Sequence, residues 1–348
     1  MSQGLWFSLD PERAHRVALN LLRVGGATAP GRAAIRARYG VASPDPSQAT
    51  TLWGLPFRNR LGLAAGWDKD GLGLRGLANL PFGHIEIGTV TPRPQDGNPR
   101  PRIFRLKEDR ALINRMGFPG KGADFVHQQL TAFMRQASDP ERHPIVGVNI
   151  GKNKDTPNER AIDDYRSLML RFAEIADYLV INISSPNTVG LRDLQARAAL
   201  EGMLAALADA RQTLTPDAAR TPLLLKLSPD LTPAELRDAV DTALGHGIDG
   251  LVVSNTTLSR EGLTSPHAAE AGGLSGAPLT QRADAVLDAV ARQIQGRVPI
   301  IAAGGVMNVA DYRRKLELGA SLVQVYSGLV YGGPGWPKSL LREAGMAP

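Results

Sequence analysis

The sequence predicts an α/β chain folded as a (β/α)8 TIM barrel with an N-terminal helical extension. Three observations carry this expectation. Eight short apolar runs follow one another from Leu61, amphipathic stretches separate them, and residues 1–60 stand outside that rhythm. Continuous apolar strands alternating with helices indicate a parallel sheet covered on both faces, and eight of them favour a closed barrel over an open doubly wound sheet.

The apolar runs are Leu61–Ala65, His84–Gly88, Ile145–Asn149, Tyr178–Asn182, Pro222–Lys226, Gly250–Ser254, Pro299–Ala303 and Leu322–Tyr326. Helical patterns lie between them at Ala161–Ile175, Leu200–Gln212, Pro233–Leu244, Arg282–Ile294 and Val309–Leu318. Thr232, then Pro233 and Glu235, reads as an N-cap with proline at the first helical position. Two inserts break the rhythm: Thr89–Gly120, rich in Pro, Arg and Asn, and Thr256–Gly276, rich in Gly and Ser. Both follow strand ends, on the face where barrel enzymes carry their chemistry, and long loops in compact domains are usually functional.

Upstream, Asp10–Val24 reads as a helix, with Pro11 at its first position and Ala14, Val17, Ala18, Leu21 and Leu22 at helical spacing. Arg13, Arg16 and Arg23 lie among them. A second short helix covers Arg32–Arg38, and Thr51–Arg60 reads as a hairpin leading into the first barrel strand. We place the division at residue 48, with an arm over 1–48 and the barrel over 49–348. The arm either packs on the barrel or lies at a membrane surface, apolar face down with an arginine fringe. Spacing alone favours packing, because most amphipathic helices face a core.

The 348 residues are 43% hydrophobic and 21% charged, which excludes disorder as the main state. No cysteine is present, which removes disulfides, Cys-ligated zinc, iron–sulfur clusters and any Cys nucleophile or base. No run of apolar residues reaches the length that spans a bilayer. The histidines form no metal spacing such as HExxH, and no Ser-His-Asp pattern is seen, so no metal site is expected. The net charge of +6 comes from 32 Arg and 8 Lys against 34 acids. These charges form no block and interleave with no aromatic platform, so nucleic acid is not an expected partner.

The strand ends are where the sequence becomes informative. GLAAGWDKDG (62–71) joins small residues, against which a planar ligand can lie, to Lys69. GVNIGKNK (147–154), NISSPNT (182–188), LKLSPD (225–230) and SNTT (254–257) end four consecutive strands in Asn, Lys, Ser and Thr. A Lys or Asn among Leu and Val is costly unless paired or facing a ligand. AAGGV (302–306) and QVYSG (324–328) end strands seven and eight, where barrels commonly hold a phosphate. A phosphate-binding barrel isomerase would usually carry Glu, Asp or His at these ends, and a non-catalytic module would not need Lys226 inside a strand.

Taken in order, GLAAGWDKDG, GTVTPRPQ (88–95), NRMGF (114–118), GVNIGKNK, NISSPNT, SNTT, GGLSG (272–276), AAGGV and VQVYSG (323–328) resemble the dihydroorotate dehydrogenase family. That family is an FMN-dependent (β/α)8 barrel of pyrimidine biosynthesis. FSLDPERAH (7–15) resembles the arm of its membrane-associated, quinone-dependent class, and the match runs from Phe7 to about Gly333. The cytosolic class uses a Cys base; here the matching residue is Ser185. The resemblance implies FMN contacts at Ala65, Gly66, Lys69, Thr89, Asn149, Asn182, Lys226, Ser254, Gly276, Gly305, Tyr326 and Ser327. It implies dihydroorotate contacts at Lys69, Asn114, Arg115, Met116, Gly117, Phe118, Asn182, Asn187, Asn255 and Thr256. Ser185 would act as base, with Thr188 relaying its proton and Phe118 closing the pocket. His15, Arg105 and Tyr326 would line a quinone tunnel. The chain departs from the family pattern at Trp67, Pro119, Gly120 and Ser254. The resemblance further implies oxidation of (S)-dihydroorotate to orotate, a quinone as final acceptor, and peripheral attachment to the cytoplasmic face of the cell membrane. A monomer is expected.

Overall fold

Alternation along the barrel strands decides where chemistry can sit. The computed structural model describes residues 7–41, 45–136 and 143–345. A hairpin of β1 (Thr50–Leu52) and β2 (Leu55–Phe57) precedes the barrel. The barrel strands are β3 (Leu61–Leu63), β4 (His84–Val90), β7 (Ile145–Ile150), β8 (Tyr178–Asn182), β9 (Leu223–Leu227), β10 (Gly250–Val253), β12 (Ile300–Ala303) and β13 (Leu322–Val325). They close in the order β10-β12-β13-β3-β4-β7-β8-β9, all parallel. This is the (β/α)8 barrel with N-terminal helices that the sequence predicts.

One parity of each strand faces the helices: Ile85, Val146, Leu179, Leu225 and Ile300 belong to the large core packed between sheet and helices. The other parity faces inward, where Phe57, Ile145, Tyr178, Val180, Leu224, Val252, Ile301 and Leu322 form a separate cluster. Two residues further along, on the same inner face, the side chains turn polar. Asn182 follows Val180, Lys226 follows Leu224, Ser254 follows Val252 and Gln324 follows Leu322. The barrel is therefore apolar at its floor and polar towards the carboxyl ends of its strands. The hairpin seals the floor: Phe57 is buried, and Trp53 Nε1 donates to the Asp249 carbonyl at 2.8 Å. The rings of His84 and Tyr178 fill the space above it because glycines, Gly62 and Gly147, stand opposite them; a Cβ at either would run into the ring.

Helices α3 (Leu74–Leu77), α4 (Gly122–Met134), α5 (Ala161–Phe172), α6 (Arg197–Arg211), α7 (Pro233–Gly245), α8 (Thr280–Ile294) and α9 (Val309–Glu317) connect the strands, and α10 (Ser327–Gly332) and α11 (Trp336–Ala344) close the chain. Thr232 and Glu235 form a reciprocal capping box at α7, as the Thr-Pro-x-Glu pattern predicts. The two inserts differ from the open loops expected of them. β5 (Ile103–Leu106) and β6 (Ala111–Asn114) pair as a hairpin, and β11 (Gly273–Gly276) from the second insert adds to β6. Phe104, Leu106, Ala111, Ile113 and Leu274 bury a small core of their own.

The N-terminal helices, which number as αA (Pro11–Ala27) and αB (Ala29–Tyr39), extend beyond the predicted spans. Asp10 caps αA by accepting from Arg13 N at 2.9 Å, and Thr28 separates the helices and caps αB. αA lies on α3, at the same end of the barrel as the strand carboxyl ends, not under the floor. Gly26 and Gly76 let the two backbones approach closely. The opposite face of αA leaves Val17 (38%), Leu21 (56%) and Val24 (66%) exposed in one stripe. Residues 1–6 and 42–44 of the predicted arm lie outside the described residues. Among the described residues, no helix is long and apolar enough to cross a membrane.

Candidate active site

A cleft opens at the carboxyl ends of the strands, roofed by the β5–β6–β11 sheet. It collects residues from nearly every strand end. Of the residues expected to contact the cofactor, Ala65, Gly66, Lys69, Thr89, Asn182, Lys226, Ser254, Gly276, Gly305, Tyr326 and Ser327 line it; of the substrate set, Asn114, Met116, Gly117, Phe118, Asn187, Asn255 and Thr256 join them, with Ser185. Asn149 sits one layer below the lining. Its Oδ1 accepts from Thr89 Oγ1 (2.5 Å) and Asn182 Nδ2 (3.0 Å), and its Nδ2 donates to Glu86 Oε1 (2.8 Å).

Beneath the lining lies a buried acid. Glu86 has no solvent exposure; Gln324 Nε2 donates to its second oxygen at 2.6 Å, and Lys226 Nζ stands 3.9 Å from its first. Lys226 otherwise faces the cleft. Glu86 does not lie at a strand end; its signal in the sequence is an acid inside HIEIGTV, the same kind that marks Lys226 inside LLLKL.

The asparagines interlock. Asn187 Nδ2 donates to Asn114 Oδ1 (3.1 Å), and Asn255 Nδ2 donates to Ser184 Oγ (2.9 Å), which in turn donates to Asn182 Oδ1 (3.0 Å). Ser185 Oγ accepts from Asn187 N at 3.2 Å. Of the two serines, Ser184 is therefore committed to the amide cluster while Ser185 lines the cleft. Thr188 is buried outside the lining. Arg192, unmarked in the sequence, braces this loop: it donates to the Ser184 and Thr256 carbonyls and pairs with Asp230 at 2.9 Å.

Two placements differ from the simplest picture of side chains meeting a ligand. The Arg115 guanidinium turns out of the cleft, pairs with Glu270 at 2.7 Å and lies 4.5 Å over the Phe104 ring. Gly305 has φ +77, which favours glycine, but a Cβ there would strike the Thr280 backbone, so its requirement is set by packing as well as by any ligand. Of the three residues expected to line a tunnel, Tyr326 lines the cleft, with burial raising its hydroxyl pKa to about 12. His15 stacks edge-on against Trp67 at 5.1 Å, and burial with the neighbouring Lys69 charge lowers it to about 3, so it is neutral. Arg105 donates to the Phe7 and Leu9 carbonyls and stacks on Phe7.

The charge balance of the lining is one-sided. Among the described residues it holds Lys69 and Lys226 but no Asp, Glu or His. Lys69 Nζ donates to the Gly66 carbonyl at 2.6 Å, and burial lowers its pKa to about 8. Adjacent Asp68 is raised to about 6 by burial, against the pull of hydrogen bonds from Gly73 N and Leu72 N. No group of acids and histidines among the described residues is arranged to hold a metal.

The family profile described as Dihydroorotate dehydrogenase matches residues 47–346. The chain belongs to the dihydroorotate dehydrogenase family. It is 49% identical over 352 residues to the dihydroorotate dehydrogenase (quinone) of Acidithiobacillus ferrooxidans, covering 99% of this chain and 94% of that one. To that of Halorhodospira halophila it is 45% identical, covering 98% and 96%. The crystal structure of the Eimeria tenella dihydroorotate dehydrogenase with ferulenol superposes with a TM-score of 0.89 at 39% identity, covering 98% of this chain and 93% of that one. Membership of the family makes this chain an oxidoreductase, and the cleft is its candidate active site.

Proposed function

We propose that the chain oxidises (S)-dihydroorotate to orotate in de novo pyrimidine biosynthesis, with FMN as cofactor and a membrane quinone as final electron acceptor. The observation that carries this reading is the lining itself: four neutral asparagines and two ammonium groups around one deep cleft, with no acid among the described residues. Such a surface suits a polar heterocycle bearing a carboxylate, and it favours negative charge developing on the ring.

FMN fits the lower part of the cleft. Thr89, Asn182, Ser254 and Lys226 offer donors and acceptors along one wall, with Asn149 braced behind them. Lys226 is 6% exposed, and its nearest counter-ion stands 3.9 Å away, so an electron-rich ring would complete its surroundings. Gly304, Gly305 and Ser327 supply small groups for a phosphate, and Ala65, Gly66 and Gly276 leave flat backbone for the ring system. FMN would supply the hydride-accepting ring and hand the two electrons to the quinone.

The protein's part is positional and protonic. Asn114, Asn182, Asn187 and Asn255 hold the substrate ring, and Lys69 faces its negative charge. Arg115, Met116, Gly117, Phe118 and Thr256 shape the surrounding wall, Arg115 through its backbone. Ser185 Oγ takes the proton from C5 as its own hydroxyl proton passes towards Thr188 and solvent, while a hydride leaves C6. A serine is a weak base alone, so the donors on the substrate carbonyl must stabilise the enolate that develops. Phe118 closes the pocket against water.

Residues 1–48 serve as the quinone and membrane arm, and 49–348 as the FMN barrel. The exposed Val17–Leu21–Val24 stripe supports a peripheral seat on the cytoplasmic membrane surface. His15, Arg105 and Tyr326 line the quinone path as a monomer's own residues. The test is an assay of the purified protein with dihydroorotate and a short-chain quinone, compared with fumarate and NAD. A yellow protein that reduces quinone is expected. A colourless protein, or preference for NAD or fumarate, would overturn the reading.

A further inference from the structure

The arm and the substrate wall are joined by one buried guanidinium. Arg102 lies in the insert between β4 and β5 and is 5% exposed. One edge of its guanidinium grips the arm: Nε donates to Glu12 Oε2 at 3.2 Å and Nη2 to Glu12 Oε1 at 2.8 Å. Its remaining nitrogen, Nη1, donates to the carbonyls of Asp96 (2.6 Å) and Asn98 (2.9 Å). Such a two-point guanidinium–carboxylate contact fixes orientation as well as distance.

Asn98 carries the connection into the site. Its Nδ2 donates to the Arg115 carbonyl (3.0 Å) and the Asn187 carbonyl (3.2 Å), and its backbone N donates to the Met116 carbonyl (2.9 Å). Lys154 Nζ donates to its Oδ1 at 2.9 Å. A Cβ on Gly117 would come within 2.7 Å of Asn98 Cγ, so the two segments are in tight contact. Asn98 thus spans the Asn114–Phe118 segment and the loop that bears Ser185. Burial works against the Glu12 carboxylate, but hydrogen bonds from Arg102 and Arg100 prevail and hold it down at about 2, so Glu12 stays ionised across the working pH range.

We propose that Glu12 and Arg102 form a latch that couples the seat of the N-terminal arm to the geometry of the substrate wall, making them positioning residues for substrate binding. When αA shifts, on engaging a membrane or an electron acceptor, Arg102 loses its counter-ion. Its grip on the Asp96 and Asn98 carbonyls then loosens, and Asn98 releases Arg115, Met116 and Asn187. By reciprocity, a ligand that orders the substrate wall favours the seated arm. The substrate side of this inference rests on the dihydroorotate reading; the mechanical link does not.

The experiment separates the two. Hydrogen exchange is followed in the holoenzyme for the parent, Glu12→Gln, Arg102→Lys and Arg100→Gln. Arg100 also binds Glu12 but is largely exposed and touches none of the loop carbonyls, so it is the control. Faster exchange over 114–118 and 185–188 is expected in Glu12→Gln and Arg102→Lys and not in Arg100→Gln. Exchange that rises only within the arm, or equally in all three, overturns the latch. Orotate affinity, read by calorimetry, should fall about 5- to 10-fold in Glu12→Gln, at the low end of typical coupling. The KM for dihydroorotate should rise in step while kcat holds. Unchanged orotate affinity in a variant with loosened exchange overturns the functional coupling. A parent that binds no orotate counts against the dihydroorotate reading, and the exchange result still decides the latch.

Discussion

Replacing Lys226 by Met leaves a carboxylate buried without a counter-charge. Glu86 has no exposure, its oxygens accept from Asn149 Nδ2 and Gln324 Nε2, and the Lys226 ammonium is 3.9 Å away. At that separation and an effective dielectric of about 20, two unit charges attract by roughly 4 kcal/mol. Breaking a buried pair from one side typically costs about 3–5 kcal/mol, because the remaining charge stays buried. Lys226→Met should therefore lower unfolding free energy by that amount. Lys226→Met/Glu86→Gln should recover at least half of it. The second change is tolerable because Gln324 Oε1 has no partner at present, so its amide can rotate and accept from a neutral amide at position 86. The assay is urea unfolding followed by tryptophan fluorescence. Both variants lack Lys226, so any loss of flavin contact is common to them and the recovery reports the buried charge alone. If adding Glu86→Gln gives no recovery, or if Lys226→Met falls within about 0.5 kcal/mol of the parent, the pair is not what holds the barrel's polar layer.

Three further outcomes are expected. Ser185→Ala should slow anaerobic flavin reduction by dihydroorotate by about 10²- to 10⁴-fold while orotate still binds; a near-parental rate would move the base elsewhere. Lys69, with a pKa of about 8 imposed by burial, keeps its charge below that pH and loses it above, so affinity for a carboxylate ligand should decline as pH rises past 8. A flat orotate titration from neutral to alkaline pH would exclude Lys69 as the anion's partner. Leu21→Asp, on the exposed stripe of αA, should abolish binding to anionic liposomes without altering flavin content, and binding by the parent should weaken as salt screens its arginines. Undiminished binding by the variant would leave the stripe without that role.

Much of this molecule is legible in the chain because period-2 burial leaves a local mark. Asn182 and Lys226 announce themselves as polar residues in apolar strands, and both line the cleft. The capping box at α7 is equally local. What escaped depends on contacts between distant segments. The inserts read as loops because β6 acquires its partner β11 from far along the chain, and short strands without that partner carry little pattern. The direction of Arg115 could not be read, since NRMGF gives no hint that Glu270 and Phe104 would draw its guanidinium outward. Glu12 and Arg102 meet only because αA docks on α3, and nothing local to either residue records it. The reason a Cβ is excluded at Gly305, contact with Thr280, is likewise tertiary.

On the proposed reading, the layering of the barrel would also let a serine work as a base. The cleft lining carries two ammonium groups, while the acid that balances one of them lies a layer below, behind Asn149 and Gln324. A ligand in the cleft therefore meets positive charge directly and negative charge only through intervening dipoles. In a site screened from water such fixed charges act strongly on whatever charge develops on the ligand. The field lowers the cost of an enolate, and so of removing the proton that creates it. The acids flanking Lys69, Asp68 and Asp70, are turned into backbone amides at Leu72, Gly73 and Lys121, and Asp230, beside the Ser184–Ser185 loop, is paired with Arg192. The basicity missing from the serine would then be supplied by what surrounds the substrate. On the proposed reading, Lys69 and the asparagine cluster would be as necessary to proton removal as the Ser185 hydroxyl.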